Sequence, residues 1–110
     1  MVYVSMTGFR PRGIAQLPRF WWRTIRSLGQ ARRAPGHLAV TARMVGGFYH
    51  TMTAWSDQAS MRRFVASGAH LAAMRDFRKL GSGRTYGCSC EEVPDWDTMH
   101  ALWQLHGREV

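Results

Sequence analysis

The sequence predicts an α+β chain whose elements run strand, helix, strand, strand, helix, strand, with a short helix closing the C-terminus. Three observations carry this. VYVSMTGF, HLAVTARM and FYHTMTAW are β-branched and aromatic runs of strand length, bounded by Gly, Pro or Ser-Asp. Between the first two, apolar residues recur at spacings of four and three, as on one side of a helix. The same spacing returns after FYHTMTAW and stops at Gly81-Ser82-Gly83.

Taken in order, VYVSMTGF is the first strand and ends before the loop Arg10-Pro11-Arg12-Gly13. The first helix begins near Leu17, because Pro18 is tolerated only in a first turn. Leu17, Trp21, Ile25 and Leu28 form its apolar stripe, with Trp22 off the centre. Ala34-Pro35-Gly36 breaks the chain. HLAVTARM and FYHTMTAW then pair as a hairpin about Val45-Gly46-Gly47. Ser56 is expected to cap a second helix from Asp57 to Lys79, with Gly81 as its C-terminal cap. RTYGCSCEEV is the fourth strand. Pro94-Asp95 opens the last helix, with Trp96, Met99, His100 and Trp103 on one face. This is the split βαβ, ferredoxin-like order in a single domain, residues 1–110. Two helices on one side of such a sheet leave its other side bare, so the expected state is a homodimer that pairs two sheets.

The net charge is +8 and the pI about 11.0. The charge is uneven: residues 1–56 hold eight arginines and no acid, and all seven acids lie from Asp57 onward. One surface is therefore positive and suits an anionic ligand or a membrane surface. No nucleic-acid recognition module is visible, so specific nucleic-acid binding is not expected. Phe20-Trp21-Trp22-Arg23, with Arg19 and Arg26, has the character of an interfacial helix. Cys88 and Cys90 fall on one side of a strand, a poor geometry for a disulfide. Together with MVYVSMTGFR, which lacks the pattern of a signal peptide, this predicts a reduced, cytoplasmic protein. Cys88-x-Cys90 with His100 or His106 does not meet the four-ligand requirement of a structural zinc, so no metal is expected.

The strand ending in Trp, the Ser-Asp turn and the helix MRRFVASGAHLAAM resemble the dimeric α+β-barrel superfamily, which includes the antibiotic-biosynthesis monooxygenases. QARRAPGHLAV followed by FYHTMTAWSDQASMRRF is similar to spheroidene monooxygenase and its small relatives, without the longer segment that spheroidene monooxygenase carries between its second and third strands. The resemblance implies a dimeric α+β barrel with a hydrophobic pocket for an aromatic or isoprenoid-like molecule. It implies either no cofactor or a haem.

The residues that stand out are ionisable groups inside apolar elements. At 100° per residue, Arg75 falls on the helix face of Met61, Phe64, Val65, Gly68, Leu71 and Ala72. A charge there must be paired, escape to the helix end or meet a ligand. His70 lies on the other side of that helix with Met74 and Phe77, and is a candidate general base or haem ligand. His50 shares a strand face with Phe48, Met52 and Ala54, and a buried strand histidine needs a partner or a ligand. Arg43 raises the same question on the neighbouring strand, and is the candidate partner of a haem propionate. His50, His70 and Arg75 are thus the catalytic candidates. Phe48, Trp55, Phe64 and Gly68 are the expected pocket lining. Two function classes stay open: a small homodimeric monooxygenase-like enzyme, or a non-catalytic small-molecule or haem-binding protein of the same fold.

Overall fold

The computed structural model describes residues 1–109. The elements are β1 (Val2–Pro11), a 3-10 turn (Ile14–Gln16), α1 (Leu17–Arg33), β2 (His37–Val45), β3 (Phe48–Trp55), α2 (Gln58–Val65), α3 (Gly68–Leu80), β4 (Gly81–Cys90), α4 (Trp96–His106) and β5 (Arg108–Glu109). They build one antiparallel sheet in the order β2-β3-β1-β4-β5. The hairpin turns on Gly46 and Gly47, at φ 60° and 82°, where a side chain is disfavoured, and Val45 then pairs directly with Phe48. The two-residue β5 pairs Arg84 and Thr85, and the periodicity gave no sign of it.

Strand alternation decides what each face sees. Tyr3, Ser5, Thr7 and Phe9 of β1 face α1, α2 and α3. Val4 and Met6 face α4 and are fully buried with Met99 and Trp103. The far side of the sheet is therefore not bare within one chain. The C-terminal helix crosses it and buries Met52 and Ala54 as well. The expected dimer drive from a naked sheet is removed to that extent.

The first helix buries a different face from the one expected. Phe20 and Ala31 are buried, whereas Trp21 and Ile25 are exposed. Periodicity cannot rank two apolar faces on one helix. Phe20 is turned inward because its ring stacks on Phe9 at 5.0 Å and meets Phe77 at 5.4 Å. α1 is tied to α3 by Asp76, which is buried and accepts from the guanidinium groups of Arg19 and Arg23. Burial opposes ionisation of Asp76, but these hydrogen bonds outweigh it and hold the carboxyl below its usual range.

The expected single helix from Asp57 to Lys79 is two. Ser67 is extended and Gly68 sits at φ 60°, so the chain leaves α2 and restarts as α3. The Gln30 side chain, from α1, fills this break. Its Nε2 donates to the carbonyls of Phe64 and Ser67, and its Oε1 accepts from the His70 N–H at 2.7 Å. One side chain thus satisfies the end of α2 and the start of α3. The N-cap of α2 is Asp57, not Ser56: its carboxylate accepts from the Ser60 N–H at 2.7 Å. Gly81 caps α3 as expected, its N–H donating to the Phe77 carbonyl, but without a left-handed turn. It is extended and begins β4, where an added Cβ would collide with the Arg10 backbone.

Candidate functional site

A cavity of about 320 Å³ lies between the sheet and helices α1, α2 and α3. Its floor is made by alternate residues of the three central strands. Thr53, Ser5 and Gly87 form one cross-strand row, and Thr51, Thr7 and Thr85 the next. Five hydroxyls therefore stand side by side, at strand spacings of about 4.8 Å. Thr7 and Thr85 lie within hydrogen-bond distance of each other, at 3.2 Å. One end is aromatic, with Phe9, Phe20, Phe77 and Tyr49 packed together. At the other end Phe64 leans on the ring of His70, 4.4 Å away.

His70 is the one histidine in the lining. Its Nδ1 is buried and has no hydrogen-bond partner among the described residues, and the same holds for Thr24 Oγ1 on α1, which also lines the cavity. Burial lowers the His70 pKa, while the Val65 carbonyl, close to the ring, opposes this in part. The imidazole is thus neutral at pH 7 and able to accept a proton. A cavity with a neutral base, a row of hydroxyls and aromatic walls suits a planar molecule with polar atoms along one edge.

The expected site residues do not converge. His70 and Phe64 line the cavity. Trp55 is fully buried behind Phe64, at 5.0 Å between rings, and is not part of the lining. Gly68 is exposed at the helix break. Arg75 is also exposed. Its expected inward position assumed one continuous helix, and the restart at Gly68 changes the phase so that Ala73, Met74 and Phe77 face inward instead. Phe48, His50 and Arg43 are on the other face of the sheet.

That other face holds an aromatic cluster around His50. The side chain is 1% exposed, and neither ring nitrogen has a hydrogen-bond partner among the described residues. Trp96, His100 and Trp103 of α4 lie roughly parallel along the helix, and the His50 ring meets Trp103 edge-on at 4.5 Å and His100 at 4.9 Å. Burial, with a smaller contribution from His100, pushes the His50 pKa down to about 4. Arg43 is exposed and stacks on Trp96 at 4.9 Å. Cys88 and Cys90 lie on this face with their sulphurs 3.5 Å apart and are not bonded to each other. Among the described residues, no three His, Cys, Asp or Glu side chains are grouped to hold a metal ion.

The haem reading asks for a histidine and a propionate-binding arginine around one space. At the cavity the donor set does not fit. His70 and Arg43 are on opposite faces of the sheet, and among the described residues no Lys or Arg lines the cavity.

The hydroxyl floor escaped the sequence reading, although its signal was present. In VYVSMTGF the side chains between Val4 and Met6, and after Met6, are Ser5 and Thr7, and in FYHTMTAW they are Thr51 and Thr53. Small hydroxyls at alternate positions of strands buried on both faces mark a lined space rather than a packed one.

No family model matches the sequence, and a search of curated proteins returns no relative. Solved structures do match. The chain is similar to SnoaB, a cofactor-independent oxygenase from Streptomyces nogalater, with a TM-score of 0.68 at 19% identity over 86% of this chain and 98% of that one. It is similar to Rv0793 from Mycobacterium tuberculosis, with a TM-score of 0.76 at 10% identity over 86% of this chain and all of that one. An antibiotic biosynthesis monooxygenase matches with a TM-score of 0.69 at 15% identity, over 86% of this chain and 100% of that chain. The fold is that of antibiotic-biosynthesis-monooxygenase-like proteins. At these identities the likeness is one of chain fold, a ferredoxin-like α+β sheet with its helices.

Proposed function

We propose that this chain is a small monooxygenase-like enzyme that oxidises a planar aromatic molecule in the cavity above the Ser/Thr floor, using no resident cofactor. The observation that carries the reading is the pair of buried, unpartnered polar atoms, His70 Nδ1 and Thr24 Oγ1, in the cavity above the hydroxyl floor. Buried polar atoms are normally satisfied, so a missing pair inside a cavity points to a ligand. The structural likeness to a cofactor-independent oxygenase supports the reaction type.

The chemistry starts with proton transfer. His70 takes a proton from an acidic methylene of the substrate. The resulting carbanion is delocalised over the aromatic rings. Hydroxyls of the floor donate to the developing oxyanion. The carbanion reduces O₂ and a C–O bond forms, giving a hydroperoxide. Loss of water leaves a carbonyl, so that R₂CH₂ + O₂ gives R₂C=O + H₂O, with all electrons supplied by the substrate. A long isoprenoid is a poorer match than a fused-ring phenol for a compact cavity of about 320 Å³.

The test uses a tricyclic phenol with an acidic methylene between its rings. Oxygen uptake is followed with an electrode, and the carbonyl product by absorbance. The expected result is one O₂ consumed per product formed, without added metal, flavin or haem. Saturable binding without oxygen uptake would reject the enzyme in favour of a binding protein.

The homodimer belongs to the same proposal, on a different surface from the one the sequence suggested. β2 is an edge strand and exposes Leu38, Met44 and Val45. Exposed apolar edge strands invite pairing. Sedimentation of the wild-type chain is expected to give a dimer, and Leu38→Arg with Met44→Glu to shift it to monomer. An unchanged mass would place the contact elsewhere.

A further inference from the structure

α1 has a second apolar face that turns away from the protein. At 100° per residue, Trp21, Ile25, Pro18, Gly29 and Trp22 fall within an arc of about 100° on the side opposite Phe20, Thr24, Ser27 and Ala31. Trp21 is 43%, Trp22 51% and Ile25 65% exposed. Ile14, in the turn just before the helix, is 84% exposed. Solvent-facing Trp21, Trp22 and Ile25 gathered on one helix form a patch, and patches of this kind mark a contact surface.

The charge around the patch selects its partner. The helix carries Arg19, Arg23, Arg26, Arg32 and Arg33 and no acidic residue. Asp76 of α3 engages Arg19 and Arg23, and among the described residues these are the ion pairs formed. Arg26, Arg32 and Arg33 remain outside them. Arg23 and Arg26 stack on Trp22 at 4.7 and 5.2 Å, which holds the indole among cations at the protein surface. A second copy of the same helix would bring arginines against arginines. An anionic lipid surface offers apolar depth for the indoles and negative charge for the guanidinium groups. No described helix is long and apolar enough to cross a membrane, so the contact is one in which α1 lies along the surface.

We propose that the outward face of α1, centred on Trp22 and Ile25 and rimmed by Arg26 and Arg33, docks this protein onto anionic membrane surfaces. The inner side of the same helix lines the cavity with Phe20, Thr24, Ser27, Leu28 and Ala31. Docking therefore sets the cavity one helix diameter, about 10 Å, from the lipid. A sparingly soluble substrate dissolved in the bilayer would then be captured beside its reservoir. This last consequence rests on the proposed reaction, whereas the docking surface does not.

The test is co-sedimentation of the full chain with vesicles of phosphatidylcholine alone or with 30 mol% phosphatidylserine (~30%, a strongly anionic surface). Intrinsic tryptophan emission is recorded in parallel. The expected result is binding to the anionic vesicles only, with a blue shift, and release as salt rises from roughly 0.1 to 1 M and the screening length contracts to about 3 Å. Trp22→Ser with Ile25→Ser should abolish binding. Arg26→Gln and Arg33→Gln should each weaken it about fivefold. All these positions are exposed, so circular dichroism and thermal unfolding should match wild type. Equal binding to neutral vesicles, or variants that bind like wild type, would overturn the proposal. So would a face that instead holds two copies together, seen as a mass halved by Trp22→Ser with Ile25→Ser. Salt-sensitive binding of RNA without vesicle binding would overturn it too. Failure of the oxygen-uptake test leaves each of these outcomes readable.

Discussion

His70→Gln is expected to lower turnover about 10²- to 10⁴-fold, the usual contribution of a positioned general base, while leaving substrate binding nearly intact. The position argues for a large effect. Nδ1 of His70 is buried and unpartnered among the described residues, and the ring is packed against Phe64 at 4.4 Å. Its backbone is fixed from a different helix, through Gln30. Glutamine keeps the size and polarity but cannot accept a proton at neutral pH. The pH profile gives a second readout. A base must be neutral to act, and burial lowers the His70 pKa below 6.5. The rate should therefore stay level from neutral pH down past 6.5 and fall only at more acid pH. Stopped-flow rates and ligand titration on the same variant separate the two effects. A variant with wild-type turnover would remove His70 from the chemistry.

The second large effect is on stability, and it comes from the other face of the sheet. His50 is held neutral in the fold, with its pKa lowered from 6.5 to about 4. In the unfolded chain it binds a proton below pH 6.5, where the native protein does not. Stability contributed by this group is thus present above pH 6.5 and is lost as pH falls towards 4, by about 1.4 kcal/mol per pH unit. The whole loss is about 3 kcal/mol, a large share of a small domain's stability. Burial is the main cause, and His100 on α4 adds to it; the other basic groups facing this cluster are Arg43, stacked on Trp96, and Arg84, which lies over Trp103 at 5.3 Å. Urea unfolding of wild type and His50→Leu at pH 7, 5.5 and 4.5 isolates the effect, since every carboxylate is common to both chains (each value chosen to bracket the window of roughly 4 to 6.5). Wild type should lose stability faster than His50→Leu on acidification. Leucine should also be no worse at pH 7, because it removes two buried polar atoms that lack partners. Parallel slopes would show that His50 is protonated or solvated in the native state.

The candidate site was partly legible. The helix SGAHLAAM pointed to His70 as an ionisable group in apolar company, and Phe64 was read as lining. The stretch from Asp57 to Phe77 carries one unbroken helical rhythm, which by itself places Arg75 inward. His50 was identified as a buried strand histidine in need of an explanation, and it is buried. The partner expected over it was another sheet, and the cover is the chain's own α4. Arg43 lies on the neighbouring strand, where the ladder pairs it with His50. That same pairing puts it on the face away from the cavity.

The sequence by itself determined the four long strands, the hairpin at Gly46-Gly47, the fold class and the C-terminal helix. These follow from alternation, turn chemistry and capping, which act over a few residues. Only the tertiary structure decided which face of α1 is core, where the second helix breaks and which side of the sheet encloses a cavity. Each of those depends on a contact between distant residues. Phe20 turns inward for Phe9 and Phe77. Gln30 makes the break before Gly68 satisfiable by supplying hydrogen bonds from another helix. The hydroxyls of Ser5, Thr7, Thr51, Thr53 and Thr85 become one floor only when three strands are laid in register. Local patterns choose elements, but packing chooses among the faces those elements offer, because burial energy is set by the neighbours and not by the segment alone.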